Sequence, residues 1–336
     1  MVDSSLPKSG SFRQAVVDVQ RVSARQEHVI AALTIAVPAI GAAVVLTAAA
    51  FGYVRAAGVE LAVTLAFCLV TQVGITVGFH RLFTHRAFVA HPMIRFVLGI
   101  CGSMAAQGPL LFWVAEHRQH HQRSDVSGDP HSPYVSGPRR LSRIQGFWHA
   151  HIGWMFEHES QAWKSHARDI FGDPASLFLT QWYPAWVFLG MLLPGLICGL
   201  LRGSLRHFFL GVLWGGIVRI FIVHHATWSV NSLGHMIGRR TFKTRDYSRN
   251  NSFVALITLG EGWHNNHHAF PSSARHGLEW WQLDLSYCFI LMMRKFKLAS
   301  NIKIPSAQQI ERSKQSHSCD DQSANQLARG TTGASQ

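Results

Sequence analysis

Four long apolar runs constrain the fold of this chain more than any other feature of its sequence. They lie at about residues 29–54, 59–79, 184–201 and 207–223. At a rise of about 1.5 Å per residue, a helix of that length crosses a hydrocarbon core of about 30 Å. The link within each pair is only a few residues long, so the two runs of a pair must return on each other. The pattern predicts four transmembrane helices in two hairpins.

The composition agrees with a membrane protein and excludes two other classes. Only 15% of the 336 residues are charged and 48% are hydrophobic, whereas soluble domains carry about 25% charged residues. This excludes a cytosolic globule and also a disordered chain, which would be poor in apolar residues. The net charge is +13, and the basic residues lie beside the apolar runs. This favours an anionic membrane surface as the binding partner. We expect membrane lipid, and no nucleic acid, among the partners.

Basic residues predict the orientation in the membrane. Of 31 Lys and Arg residues, three lie in the short links (Arg55, Arg202 and Arg206) and Arg219 lies within the fourth run. Nearly all others lie on the opposite side, which predicts that both termini and the active site are cytoplasmic. The predicted divisions are a polar cytosolic segment over 1–28, a membrane domain over 29–312 and a disordered cytosolic tail over 313–336.

A fifth apolar stretch, residues 93–114, resembles a span in hydropathy alone. It contains Arg95, Gln107 and the helix-breaking pair Gly108–Pro109, which weaken that interpretation. Histidine clusters lie on both sides of it, and a span would place them on opposite faces of the membrane. We therefore predict a non-spanning helix at the interface.

Histidine placement is the main indication of chemistry. The chain has 21 histidines and only 18 Asp plus Glu. In two clusters the spacing i, i+3, i+4 puts three imidazoles on one helical face. Neutral imidazole binds divalent first-row metals, and eight clustered rings exceed what one metal needs, so two metal ions are expected. Box one is His80 and His85, box two is His117, His120 and His121, and box three is His264, His267 and His268.

The sequence also narrows the choice of metal. The five cysteines form no CxxC pair, and a hydrolytic HExxH signature is missing. Ferritin-like di-iron proteins use two Glu-x-x-His pairs, whereas this chain has one, Glu261 and His264, which overlaps box three. The interpretation that remains is a pair of iron ions held by imidazole ligands alone, which suits the activation of dioxygen.

The boxes and their surroundings resemble the membrane fatty acid desaturase family, specifically its stearoyl-CoA Δ9-desaturase branch. The matching segments are 74–85, 226–235 and, most specifically, Gly-Glu-Gly-Trp-His-Asn-Asn-His-His-Ala-Phe-Pro over 260–271. The resemblance covers roughly residues 30–300. It implies an all-α integral membrane fold, with a cytosolic helical cap that holds a histidine-ligated di-iron site.

The resemblance adds residues that spacing alone would rank low. It implies His235 as the ninth ligand and Asn231 as a residue that reaches an iron through water, but it gives His224 and His225 no role. It also implies residues that contact the acyl chain. Those at the bend of the tunnel are Gln107, Trp113, Thr227 and Trp228, and those at its far end are Cys68 and Gln72.

The departures from the family concern the head group of the substrate. Animal members have Arg-Asp just before box two and a basic pair in the cap, where this chain has Ala115–Glu116 and His158–Glu159. The missing basic contacts make an acyl-lipid a competing substrate. Acyl-CoA remains favoured, because Arg139, Arg140 and Arg143 offer another basic patch for its phosphates.

The expected function is that of an oxidoreductase acting with dioxygen, a desaturase that introduces a cis double bond at Δ9. An unactivated methylene offers no acidic proton, so a metal must act as the reagent and the protein as the positioner. The chain has no flavin or nicotinamide glycine motif. We therefore expect a separate electron donor, ferredoxin-like or cytochrome b5-like, with a reductase.

Two alternatives stay open. The same machinery could hydroxylate an alkane, acyl or sterol substrate, because the two outcomes differ by small shifts in substrate pose. The second alternative, from another functional class, is a non-enzymatic membrane protein that binds a metal or haem. A transporter should place its polar ligands near the bilayer midplane, whereas these histidines cluster at the ends of spans.

Overall fold

The computed structural model describes residues 24–157 and 163–314, and these are mostly helical. The predicted N-terminal segment 1–28 and tail 313–336 therefore lie almost wholly outside the described residues. The helices, in chain order, are α1 Ala24–Ala50, α2 Gly58–Thr84, α3 Pro92–Ser103, α4 Leu110–Arg123, α5 Arg143–Trp148, α6 Trp154–Glu157, α7 Trp163–His166, α8 Arg168–Phe171, α9 Pro174–Gln181, α10 Tyr183–Arg202, α11 Leu205–Met236, α12 Ser252–Ile257, α13 His264–Ala269 and α14 Leu285–Lys295.

Four helices are long and apolar enough to cross a membrane: α1, α2, α10 and α11. In the most apolar part of α1 and of α10 only 22% of the residues are buried, against 50% in α2 and α11. The exposed residues of α1 include Leu33, Ile40 and Val44, as a surface facing lipid requires. α2 and α11 therefore form the interior of the helical bundle, and both continue into the site described below.

Glycines let the spanning helices approach closely. A Cβ atom on Gly74 in α2 would lie 2.2 Å from the backbone nitrogen of Gly102 in α3. A Cβ atom on Gly211 in α11 would lie 2.6 Å from the carbonyl oxygen of Pro194 in α10. Only glycine permits such backbone contact between helices, so these positions set the distances at which α3 and α10 pack.

The fifth apolar stretch forms two helices rather than one. α3 ends at Ser103 and α4 begins at Leu110, and the link contains Ala106 and Gly108 with φ of +58° and +99°. The interruption falls at the predicted Gly108–Pro109 pair, because proline cannot continue a helix and glycine permits positive φ.

Arg219 donates to a carbonyl group at this interruption and to carbonyl groups of α10 and of its own helix, α11. Its Nη1 donates to the carbonyl of Met104 at 2.6 Å, its Nη2 to that of Gly190 at 2.8 Å, and its Nε to that of Gly215 at 3.0 Å. The side chain is fully buried. Arg219 is thus tolerated within an apolar run because carbonyl oxygens of three segments replace water around its guanidinium group.

His224 secures the same link. Its Nε2 donates to the carbonyls of Ala105 and Ala106, at 3.0 and 2.9 Å. The hydroxyl of Tyr183 accepts a hydrogen bond from the backbone nitrogen of Gly108 at 2.9 Å. The structure therefore gives His224, for which the sequence indicated no role, a place in holding the link between α3 and α4.

The end of α2 is wound as a π-helix over Gly74–Thr84, a short π-helix spans His149–Gly153, and a third π segment, Val212–Val218, interrupts α11. π turns in longer helices are frequent at functional sites. α11 runs on to Met236, past the predicted end of the fourth span at residue 223, and so carries His235 within the helix.

A buried apolar core lies between these helices and the short elements around them. Phe79, Leu110 and Leu111 are fully buried in it, together with Ile290 of α14. Two short antiparallel ribbons complete the fold: β1 Val89–Ala90 pairs with β4 Ala299–Ser300, and β2 Val135–Ser136 pairs with β3 Arg139–Arg140.

Candidate metal centre

Nine histidines, distant in sequence, converge into two adjacent clusters. In each cluster the potential ligand atoms all lie within 4.8 Å of one another. The five-histidine cluster is His80, His85, His117, His121 and His267, and the four-histidine cluster is His120, His235, His264 and His268. These are the eight box histidines and the ninth histidine that the family resemblance implies.

Boxes two and three each contribute to both clusters. In α4, His117 and His121 belong to the five-histidine cluster and His120 to the four-histidine cluster. In α13 the arrangement is reversed: His264 and His268 belong to the four-histidine cluster, and His267 belongs to the five-histidine cluster. The spacing i, i+3, i+4 therefore divides each box between two neighbouring centres, with the ring at i+3 turned towards the second.

The distances between ring nitrogens fit metal coordination. His264 Nε2 lies 3.0 Å from His235 Nε2 and 3.1 Å from His268 Nε2. A first-row metal ion binds imidazole nitrogen at about 2.0–2.1 Å, so two ligands at right angles lie about 3 Å apart. Each ring nitrogen offers a single proton or a single lone pair, whereas one metal ion between the rings accounts for all of these short distances at once.

The five-histidine cluster has the same spacing. The distance between Nε2 atoms is 3.1 Å for His80 and His267, 2.8 Å for His267 and His121, 3.0 Å for His121 and His117, and 3.1 Å for His117 and His85. Each cluster can therefore hold one metal ion through Nε2 atoms alone.

Burial and protonation also fit a metal. His120 is 1% exposed, and its Nε2 has no hydrogen-bond partner among residues 24–157 and 163–314, although an orphaned buried nitrogen is costly. Burial lowers the pKa of His264 and His267 well below the usual value, and neighbouring imidazoles lower it further. Burial likewise lowers the pKa of His268 to about 4. The rings of His264, His267 and His268 are therefore neutral at physiological pH, which is the form that binds a metal.

Three carboxylates orient the rings of the four-histidine cluster. The Nδ1 atom of His120 lies 2.9 Å from Asp129, that of His235 lies 2.8 Å from Asp125, and that of His268 lies 2.8 Å from Asp246. Such partners fix the tautomer, keep Nε2 free for the metal and raise the basicity of the ligand.

Two of these carboxylates, Asp129 and Asp246, are held ionised. Burial raises the pKa of Asp129 and of Asp246, but the adjacent histidine rings outweigh that effect, and the pKa of each lies below its usual value. Asp246 also accepts hydrogen bonds from the backbone nitrogen and hydroxyl of Ser248. The anion is thus fixed in place before any metal binds.

The five-histidine cluster has one such carboxylate, which belongs to a buried ionic network. Glu261 Oε2 lies 2.6 Å from His80 Nδ1, and its Oε1 lies 3.2 Å from Arg81 Nη2. Arg81 is fully buried and also lies 2.9 Å from Asp284. His276 contacts both Glu261 and Arg81, at 3.4 and 3.2 Å. Among the described residues the two clusters therefore differ in the number of carboxylates behind their histidines.

Sequence reasoning did not identify Asp125, Asp129, Asp246 or His276. A partial signal was present, because acidic residues are few in this chain and Asp125 and Asp129 follow box two closely. Asp125 nevertheless bonds to His235, 110 positions away, and no local pattern indicates that pairing.

Asn231 and His225 occupy different surroundings. Asn231 lies four positions before His235, about one turn away on the same helix α11, and its role in holding water remains a prediction. His225 Nδ1 lies 3.0 Å from His151 Nε2, and His151 Nδ1 lies 3.0 Å from Ser232. His225 therefore lies outside both clusters and contacts another histidine. This agrees with the family resemblance, which gives His225 no role as a ligand.

Four of the predicted acyl-chain residues lie close to the metal site or to each other. Trp113 stacks on His117 at 5.1 Å between ring centroids and meets Phe79 edge-on at 5.8 Å. Gln107 Nε2 donates to Thr227 Oγ1 at 2.9 Å. Trp228 is buried and packs against His224 at 4.7 Å. The structure thus brings Gln107 and Thr227 into contact, while their role in substrate binding remains a prediction.

Cys68 and Gln72 lie in α2, on the approach to box one. Cys68 packs against the buried apolar core, and Gln72 is 4% exposed. Both face the interior, as residues at the end of an enclosed tunnel should, and their contact with substrate remains a prediction.

Comparison with known proteins agrees with the site. Residues 56–287 match the sequence model of the family described as fatty acid desaturase. A hex-5-enoyl-[acyl-carrier protein] acetylenase of Moorena producens is 42% identical over 258 residues, 76% of this chain and 80% of that protein. An sn-1 stearoyl-lipid 9-desaturase of Anabaena variabilis is 40% identical over 260 residues, 76% of this chain and 86% of its own length.

A more distant relative carries a different substrate in its name. The probable acyl-CoA desaturase of Schizosaccharomyces pombe is 37% identical over 246 residues, 71% of this chain and 49% of that protein. Residues 56–287, which match the family model, contain both histidine clusters. This chain belongs to the fatty acid desaturase family.

Proposed function

We propose that the protein is a dioxygen-dependent desaturase that introduces a cis double bond at Δ9 into a saturated acyl chain, using two iron ions. The observation that carries this proposal is the pair of all-imidazole clusters, with the half-buried Trp113 stacked on one of their histidines, His117. Imidazole ligands with no thiolate among them suit iron that reacts with dioxygen. The predicted orientation places this site on the cytoplasmic side of the membrane.

The iron pair, when bound, supplies the activated oxygen that removes hydrogen from an unactivated methylene. The balanced reaction takes two hydrogen atoms from the chain, one dioxygen, two electrons and two protons, and gives a double bond and two waters. The protein supplies no acid or base to the acyl chain, since methylene hydrogens are not acidic. Its task is to hold the ligands, to position the chain and to exclude water.

The side chains around the clusters perform that task. Asp125, Asp129 and Asp246 keep the Nδ1 protons of their histidines in place, so that Nε2 points to the metal. Trp113 stacks on His117 and contacts Phe79 edge-on, which puts apolar surface beside a candidate metal ligand. Thr227 Oγ1 accepts a hydrogen bond from Gln107 Nε2, which reduces the cost of placing this amide beside an apolar chain.

We further propose a glycerolipid as the carrier of the acyl chain. The positions before box two that hold Arg-Asp in animal acyl-CoA members hold Ala115 and Glu116, and both are buried. Two relatives with 40% identity are named for stearoyl-lipid. Acyl-CoA is the competing carrier, since Arg139 and Arg140 form an exposed basic ribbon that suits its phosphates.

The test is expression with defined stearoyl-lipid and stearoyl-CoA substrates, followed by mass spectrometry and location of the double bond. Desaturation gives a product lighter by two hydrogens, whereas hydroxylation gives one heavier by one oxygen. Product from the lipid, unsaturated between the ninth and tenth carbons, is expected. An oxygenated product would contradict the desaturase, and product from the CoA substrate alone would contradict only the lipid carrier. Purified protein that binds haem and no non-haem iron would contradict both.

A further inference from the structure

A basic groove lies beside the start of box three. Its lining includes Arg239, Arg240 and Lys314, with Trp263 and Trp281 also facing it. Among the described residues that line this groove, Glu279 is the only acidic one, and it lies 2.7 Å from Lys314 Nζ. The groove is therefore a positively charged surface with aromatic side chains.

The loop that borders the groove adds to its charge. Residues 237–250 contain five Arg and Lys residues and one acidic residue, Asp246. Asp246 is 8% exposed and turned inwards to His268. The one anion of the loop is thus removed from the surface, while Arg239 is exposed at the groove.

Two contacts connect the groove with the four-histidine cluster. Trp281, which is 50% exposed, meets the 4% exposed Trp263 edge-on at 5.4 Å between ring centroids. Trp263 is followed directly by His264, a ligand of that cluster. Asp246 forms the second connection, from the basic loop to His268. Both connections end on the same cluster.

We propose that this groove docks a small acidic electron-transfer protein, which delivers electrons to the iron pair by way of the four-histidine cluster. The inference rests on the proposed function, because desaturation takes two electrons that this chain does not supply. The donor is oxidised twice by one electron, and each electron reduces one iron from the ferric to the ferrous state. Because electron transfer weakens steeply with distance, the contact of Trp281 with Trp263 shortens the gap from the surface to a ligand.

Charge favours this occupant over others. Opposite charge across an interface guides encounter and fixes orientation, and small electron carriers of the ferredoxin class are acidic. The residues predicted to contact the acyl chain, such as Trp113 and Gln107, are not among the described residues that line the groove. Substrate and electron donor can therefore bind at the same time.

The experiment uses the iron-loaded full-length protein in detergent and a reduced plant-type ferredoxin as the probe. Two quantities are measured, the dissociation constant at low salt and the rate of ferredoxin oxidation without oxygen or acyl substrate. Arg239→Glu is expected to weaken binding at least fivefold, and Trp281→Leu to slow ferredoxin oxidation at least fivefold. Added salt should weaken binding to the wild type. Reduction by dithionite should proceed equally in all variants.

Lys303→Glu is the matched control, since it makes the same change of charge in a different groove, lined by Leu82 and Arg86. Equal loss in Lys303→Glu and Arg239→Glu, or no loss in either, overturns the proposal. So does a result in which Arg239→Glu weakens binding of an acyl carrier protein but not of the ferredoxin. Neither measurement needs a desaturated product. A wild type that accepts electrons yet forms no double bond would contradict the proposed function and leave the docking surface intact.

Discussion

The backbone nitrogen of His85 donates to the carbonyl oxygen of His80 at 3.1 Å, across five residues of a π-helix. In an α-helix each residue turns about 100°, so positions five apart would point to widely different sides. The wider π turn returns the second ring towards the first, and both enter the five-histidine cluster. Both histidines of box one therefore reach the same cluster only because the end of α2 is not α-helical.

Replacing His120 tests the metal site most directly. We expect His120→Ala to lose the metal of the four-histidine cluster, because three imidazoles and a cavity remain where four converged. Desaturation should vanish while helix content stays unchanged, since His120 lies outside the four candidate spans. Metal content per chain and circular dichroism measure the two effects. His91→Ala, at an exposed histidine outside both clusters, is the control, and equal metal content in both variants would refute the assignment.

Asp246 offers a test of the ligand supports. Asp246→Asn keeps the size of the side chain but removes the anion that lies 2.8 Å from His268 Nδ1. Loss of such a partner costs about 10–100-fold in metal affinity, so iron should pass to a chelator at a correspondingly lower concentration. Asp173→Asn removes a carboxylate that pairs with Arg95, away from the clusters. Retention of iron by Asp246→Asn at the wild-type level would show that His268 needs no anionic support.

Part of this architecture could be predicted from sequence because its signals are local. Four apolar runs predict the long helices α1, α2, α10 and α11, and the i, i+3, i+4 spacing predicts the histidines of α4 and α13. The chain also interrupts the apolar stretch at Gly108–Pro109, where the sequence indicates a helix break.

Other parts depend on contacts that no local pattern contains. The spacing of His80 and His85 gives no common face until the helix becomes a π-helix. The pairing of Asp125 with His235 joins α11 to the segment after box two. The single interfacial helix predicted over residues 93–114 is in fact two helices, and Arg219 and His224 bind the carbonyl groups at the break between them. Such pairings arise from tertiary packing and not from periodicity.

Arg81 tests the buried ionic network behind box one. Arg81→Met removes a fully buried cation and leaves Glu261 and Asp284 without their charged partner. Breaking a buried pair in this way costs about 3–5 kcal/mol, and we expect a matching loss of stability against denaturant or heat. Arg86→Met is the control, because the Arg86 side chain is 61% exposed where it pairs with Asp169, and an exposed pair contributes about 1 kcal/mol or less. Similar losses in both variants would mean that the Arg81 network is not a special support of the site.

The contact between Gln107 and Thr227 supports a prediction about the position of the double bond. Thr227→Val nearly preserves the volume of the side chain but removes the oxygen that accepts from Gln107 Nε2 at 2.9 Å. The Gln107 amide, still 3.4 Å from the carbonyl of Val223, then loses its closer partner, and an unpaired amide beside the predicted path of the acyl chain is costly. Since neighbouring methylenes are chemically alike, a shift of the chain by one carbon is enough to change the product.

We therefore expect Thr227→Val to retain iron and to yield a mixture of double-bond positions with a lower rate, measured by mass spectrometry after derivatisation of the double bond. Thr64→Val is the matched control, because the buried Thr64 hydroxyl donates within its own helix, to the carbonyl of Glu60 at 2.7 Å. This control should leave the product unchanged. A single unchanged product from Thr227→Val, at the wild-type rate, would separate the Gln107–Thr227 contact from substrate positioning. The bend of the chain would then depend on the apolar walls formed by Trp113 and Trp228, where a hydrogen bond has no influence.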